Sequence, residues 1–138
     1  MRLLKPYFWS KGKFNLFALI LFPLSFFLQL IVLIKKKITK PSKFNIKLIC
    51  VGNIYIGGTG KTPLAIKINE ILTKKNRKTA IIKKFYKNHQ DEIDLLNKNV
   101  KNLFVNSSRK EAINEAIKNK CEVAILDDGL QDYSISKD

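Results

Sequence analysis

The chain has 138 residues, 46% of them hydrophobic, and a formal net charge of +15. That length suits one modest domain and excludes a full nucleotide fold joined to a separate substrate domain. The two cysteines, Cys50 and Cys121, each sit in an apolar run, so buried, reduced thiols are expected rather than a disulfide framework or a metal site.

The charge is uneven. Residues 1–69 hold twelve Lys/Arg and no acidic residue, whereas residues 70–138 hold fourteen Lys/Arg and eleven Asp/Glu. The basic block at the start would attract an anionic surface, either nucleic acid or the inner leaflet of a membrane.

The first predicted element favours the membrane. Phe14 to Ile34 is uncharged, and sixteen of its twenty-one residues are Leu, Ile, Phe or Val. As a helix it would be roughly 31 Å long, against a bilayer core of about 30 Å. Tyr7, Phe8 and Trp9 precede it and Lys35-Lys36-Lys37 follow, as expected at a membrane interface. The lysines and the lack of a small-residue cleavage site argue against a removed signal peptide. Lys11, Asn15, Ser25, Gln29 and Lys36 fall within a stripe about 80° wide, so a helix lying in the interface fits as well as a spanning one. Eight of the fourteen aromatic residues lie in this segment or just before it, where they cannot stack on bases, so no nucleic-acid partner is expected. A membrane-associated segment over 1–43, ending in a basic linker, is followed by a second domain over 44–138.

That domain alternates strand and helix. Lys47 to Gly52 is a buried strand ending in glycine. After a glycine-rich stretch, a helix opens at Lys61-Thr62, with Leu64, Ile68, Ile71 and Leu72 at helical spacing. Thr79 to Ile82 is a second strand, and Asp91 to Asn97 a short helix. Leu103 to Val105 is a third strand. Ser108-Arg109-Lys110-Glu111 forms a capping box for a helix through about Asn119. Glu122 to Leu126 is a fourth strand, ending at Asp127-Asp128-Gly129. The order implies an α/β class: a P-loop nucleotide-binding fold with a mostly parallel sheet, incomplete at four strands, preceded by the N-terminal membrane helix.

The stretch YIGGTGKTP, Tyr55 to Pro63, nearly matches G-x-x-x-x-G-K-[ST], with Tyr55 in place of the first glycine. Gly57, Gly58, Thr59 and Gly60 would turn backbone N–H groups toward phosphate oxygens, at the positive end of the following helix. Lys61 would neutralise the terminal phosphates and the Thr62 hydroxyl would ligate Mg2+. Asp127, closing an apolar strand, supplies the acidic group that such a metal site needs.

These residues also resemble a known family. VGNIYIGGTGKTPL is similar to the VGN-x-x-x-GGTGKTP signature of the tetraacyldisaccharide 4'-kinases of lipid A synthesis, which likewise lack glycine at the first position. PLSFFLQL resembles their N-terminal membrane helix. Gln90-Asp91-Glu92 with Leu95-Leu96 resembles G-D-E-P-x-L-L, and Asp127-Asp128-Gly129-Leu130-Gln131 resembles D-D-G-[FL]-Q-H. The resemblance implies transfer of the ATP γ-phosphoryl group to a sugar hydroxyl of a lipid A precursor disaccharide. Asp91 would be the catalytic base beside Lys61, Glu92 would help hold metal or substrate, and Asp127 and Asp128 would organise Mg2+. It further implies a monomer at the cytoplasmic face of the inner membrane of a Gram-negative bacterium, among anionic lipids.

The chain departs from the pattern in places. Lys84-Phe85-Tyr86-Lys87 stands where the family has R-G-Y-G, Ile93 replaces the proline, and Asp132 replaces the histidine. His89 matches no family role and reads as an exposed loop residue. The family continues into a second lobe that closes the site, so weak or no turnover is expected of these 138 residues alone. Two other readings compete: a membrane-bound ATPase switch of the partitioning type, which would carry lysine where Ile56 stands, and a vestigial nucleotide fold without activity.

Overall fold

The computed structural model describes residues 16–52, 60–86 and 89–137. The chain divides into two compact units, Met1–Lys40 and Pro41–Asp138.

The first unit contains helix α1, Leu16–Ile38. It runs through Lys35–Lys37 rather than stopping before them, so those lysines form its last turn, where positive charge faces the helix carboxyl end favourably. Its large apolar side chains from Leu19 onward are 42–73% exposed. None of the Leu19–Ile38 window is buried against protein, and its mean hydropathy is 2.0.

The second unit is built from β1 (Lys47–Val51), α2 (Lys61–Lys74), β2 (Thr79–Lys84), α3 (Gln90–Asn99), β3 (Leu103–Asn106), α4 (Arg109–Lys118) and β4 (Val123–Asp127). The four strands form one sheet in the order β1-β4-β2-β3, and every pairing is parallel. Ile49 lies opposite Ile125, and Ile125 opposite Ile81. The inner strands β2 and β4 are the continuous apolar runs, because both of their faces are covered. Alternation along them divides the core. Ala80, Ile82, Ala124 and Leu126 meet Ala112, Ile113 and Ala116 of α4 on one face. Ile81 and Ile125 meet Ala65 of α2 and Leu96 of α3 on the other. Ser42 joins this unit through a bridge to Ile135, with its N–H donating to the Ser134 carbonyl at 2.9 Å.

Three local expectations change. Of the expected α2 stripe, Ile68 and Leu72 pack against the core, but Leu64 and Ile71 point outward, at 52% and 46% exposure, while Thr62, Ala65 and Asn69 face the sheet. The spacing is helical either way, and the small Ala65 permits the closer approach to β2 and β4. Ser108 does stand at the N-terminus of α4, but its side chain makes no capping hydrogen bond, so the capping box is not formed. Instead the Ser108 N–H donates to Asn106 Oδ1. Cys121 is buried as expected, whereas Cys50 on the edge strand is only half-buried. Burial pushes both thiols above their ordinary pKa, opposed by nearby cations.

Candidate functional site

In a parallel sheet, side chains at the carboxyl ends of the strands converge with the helix N-termini that follow them. Here those ends are Val51, Lys84, Asn106 and Asp127. Gly57, Gly58 and Thr59 lie outside the described residues, so the phosphate-loop expectation can be followed only at its two ends. At the near end, a Cβ on Gly52 would come 2.2 Å from Leu130 Cγ, so only glycine allows Leu130 to cover the chain there. At the far end, Gly60 adopts φ +76 immediately before α2, a left-handed conformation that a residue with a Cβ reaches only with strain.

From Gly60 the helix brings two predicted site residues inward. The Lys61 ammonium donates to Asp128 Oδ1 at 2.8 Å, and the Thr62 hydroxyl donates to Asp127 Oδ2 at 3.1 Å. Asp127 is 1% exposed, whereas the Asp128 side chain is 56% exposed and its backbone is left-handed at φ 58. The Asp128 N–H donates to the Val51 carbonyl at 2.9 Å, which locks the end of β4 to the end of β1.

Sequence reasoning did not single out Lys83. It continues β2 beyond Ile82, is 5% exposed, and donates to Asp127 Oδ2 at 2.7 Å and to Glu92 Oε2. Burial works against its charge, but the two carboxylates more than offset this and raise its pKa. Burial likewise works against ionised Glu92, yet Lys83 and then His89 hold its pKa below the ordinary value. His89 precedes α3 and lies 3.4 Å from Glu92 through Nδ1, with its ring against Tyr86. It is an exposed loop residue, as expected, and one that also reaches Glu92 at the edge of the site. Asp91, by contrast, sits exposed on the first turn of α3, outside this hydrogen-bonded cluster.

Arg109 was also missed. It is 7% exposed at the start of α4, donating to the Asp128 carbonyl at 2.8 Å and to Asp132 Oδ2 at 3.3 Å. Burial would raise the pKa of Asp132, but the Ser134 hydroxyl and N–H together with Arg109 bring it below its ordinary value. Composition held a clue: one of three arginines among twenty-three lysines marks a place where a forked donor is needed. For Lys83 the clue was a charge at the end of an otherwise apolar strand.

Lys61, Lys83, Glu92, Arg109, Asp127 and Asp128 share the lining of one cleft with Tyr86 and His89. A larger hollow lies at the amino end of β2, around Asn69 and Thr79. Its buried polar groups bond to each other: Thr79 Oγ1 donates to Asn69 Oδ1 at 2.6 Å and the Asn102 amide donates to the Thr79 carbonyl at 2.9 Å. We therefore place the chemistry in the smaller cleft. Two buried atoms there, Asp127 Oδ1 and Arg109 Nε, have no hydrogen-bond partner among the described residues. An unpartnered carboxylate oxygen beside the Thr62 hydroxyl suits a hard divalent cation or its water. Among the described residues, no three acidic, histidine or cysteine side chains form a ready metal cage. The donors present thus suit an ion shared with a ligand's oxygens.

Comparison with known proteins points to one family. Residues 17–138 match the family described as LpxK, Tetraacyldisaccharide-1-P 4'-kinase. A tetraacyldisaccharide 4'-kinase from Pelagibacter ubique is 56% identical over 138 residues, covering 100% of this chain and 43% of the relative. One from Coxiella burnetii is 32% identical over 157 residues, covering 96% and 48%. The chain thus spans about half the length of these relatives. Among solved structures, LpxK from Aquifex aeolicus, described as an apo form in complex with ATP, superimposes with a TM-score of 0.69. That likeness covers 88% of this chain and 47% of the other at 23% identity, and shows a shared fold, here a parallel sheet flanked by helices. With the family match extending over nearly the whole chain, the protein belongs to the tetraacyldisaccharide-1-P 4'-kinase family.

Proposed function

We propose that this chain is the N-terminal, nucleotide-binding part of a kinase that transfers the ATP γ-phosphoryl group to the 4'-hydroxyl of a tetraacyldisaccharide 1-phosphate, a lipid A precursor. The observation that carries the reading is the convergence of Lys61, Thr62 and Asp127 at the carboxyl ends of β1 and β4, where α2 begins. The kinase relatives favour it over the partitioning ATPase switch.

In this reading Gly57, Gly58, Thr59 and Gly60 would supply the phosphate loop, and Lys61, partly exposed on Asp128, would neutralise the terminal phosphates. Thr62, Asp127 and Asp128 would hold Mg2+, with Glu92 joined to the same cluster through Lys83. When bound, Mg2+ supplies positive charge to the phosphate oxygens. Asp91 accepts the proton of the attacking hydroxyl, and its exposure leaves it accessible to an acceptor. Arg109 keeps the backbone of Asp128 in place.

Residues 1–43 act as the membrane-associated segment and 44–138 as the first part of the kinase domain. The unburied apolar span Leu19–Ile38 and the lysines at its end support attachment to anionic lipid of the inner membrane, with the ATP site on the cytoplasmic side. An acylated acceptor would be met there.

The test joins this chain to the second half of the Pelagibacter ubique relative and supplies membranes with labelled ATP and the tetraacylated acceptor. Transfer to the acceptor is expected, and Asp91→Asn should lower it by about a hundredfold or more, as loss of a general base does. No transfer by a folded, ATP-binding chimera, or transfer indifferent to Asp91→Asn, would contradict the reading.

A further inference from the structure

Three consecutive residues before Lys83, namely Ala80, Ile81 and Ile82, are fully buried. A lysine that follows them into the core must be paired, because a buried ammonium without partners is costly. Its two partners come from different elements: Asp127 from β4 and Glu92 from the first turn of α3. Two nearby cations are committed elsewhere: Lys61 bonds to Asp128, and Arg109 to the Asp128 carbonyl and Asp132. The His89 ring, also against Tyr86, approaches Glu92 at 3.4 Å. Lys83 is thus the described cation that touches both carboxylates.

Its position also restricts what else can reach them. Asp127 Oδ2 already accepts from Lys83 and from Thr62, which leaves Oδ1 as the open oxygen. A divalent ion coordinated by Glu92 and Asp127 together would need the space the ammonium fills. Two cations in contact repel strongly where water is scarce.

We infer that Lys83 is a built-in cation that bridges Asp127 and Glu92, excludes Glu92 from divalent-metal coordination, and pins the first turn of α3 to the end of β4. Glu92 is then a positioning residue acting through Lys83, and the ion is left to Asp127, Thr62 and Asp128. The role of that ion rests on the nucleotide-site reading; the bridge does not.

The experiment measures Mn2+ affinity of the nucleotide-free chain by the electron paramagnetic resonance of free Mn2+, with folding followed by circular dichroism. Lys83→Met should bind Mn2+ at least about tenfold more tightly than the unsubstituted chain, since a competing charge is gone and two carboxylates are freed. Adding Glu92→Gln to Lys83→Met should abolish that gain. Lys83→Arg should show none, and Glu92→Gln alone should change the affinity by no more than about twofold. Lys83→Gln, which keeps a hydrogen-bonding end, replaces Lys83→Met if the latter does not fold. Two results overturn the inference: a folded neutral variant that binds Mn2+ no more tightly, or a tenfold loss on Glu92→Gln while Lys83 is present. ATP is absent from every arm, so failure of the nucleotide reading would show separately, as lack of ATP binding.

Discussion

The two ends of β2 hold buried polar residues with opposite characters. At the amino end, Thr79 is 3% exposed and sits in a neutral network with Asn69 and Thr73. At the carboxyl end, Lys83 is equally hidden but charged, held between acids from two other elements, beside a carboxylate oxygen with no partner. A neutral, mutually bonded network stabilises and specifies packing. Concentrated charge with an open valence is unfavourable for folding on its own terms and marks a site that meets a ligand. The larger hollow belongs to the first kind and the smaller cleft to the second.

Substitutions can break or sharpen that contrast. The largest stability effect is expected at Asp127→Asn, which leaves Lys83 buried with a neutral neighbour and should cost about 3 kcal/mol in chemical denaturation. Thr79→Val removes the hydroxyl at the other end and should cost about 1–2 kcal/mol while leaving nucleotide affinity unchanged. A change in nucleotide affinity at Thr79→Val would erase the distinction between the two ends.

The smallest effect concerns pH. Asp132 and Glu92 have folded pKa values below their ordinary ones. Their contribution is therefore complete above the unfolded carboxylate range, about pH 4–5, and is lost as pH falls through the lower folded values. Lys83 behaves oppositely: its raised pKa gives stability that is complete below about pH 10 and lost as pH rises beyond. Asp132→Asn should flatten the acid limb by on the order of 1 kcal/mol or less, read from denaturation midpoints between pH 3 and 7, and leave the alkaline limb unaltered.

Much of the fold was legible because its strongest signals are strongly patterned. Thr-Ala-Ile-Ile and Val-Ala-Ile-Leu have the composition of inner parallel strands, and they occupy β2 and β4. Asp127 was legible because an acid directly after such a run emerges at the sheet's carboxyl end. The face of α2 was legible only in part: Ile68 and Leu72 pack on the core, but periodicity alone does not reveal that the sheet accepts Ala65 and Asn69 in preference to Leu64 and Ile71. Lys83 escaped notice for a related reason: a terminal lysine on a strand usually reaches solvent, and here its partners come from two other elements, α3 nine residues on and β4 forty-four residues on. The capping box failed because Asn106, outside the four-residue motif, bonds to the Ser108 N–H. In each of these cases the deciding partner lay outside the short motif being read.

The central claim is that the carboxyl end of the sheet, and not its amino end, receives the phosphates of ATP. Calorimetric titration of ATP–Mg2+ into the chain, its Lys61→Ala variant and its Thr79→Val variant tests it directly. Binding by the unsubstituted chain and by Thr79→Val is expected, with a loss of about a hundredfold in affinity for Lys61→Ala, in line with removal of a charged donor to phosphate. Equal affinity in all three, or a loss confined to Thr79→Val, would contradict it.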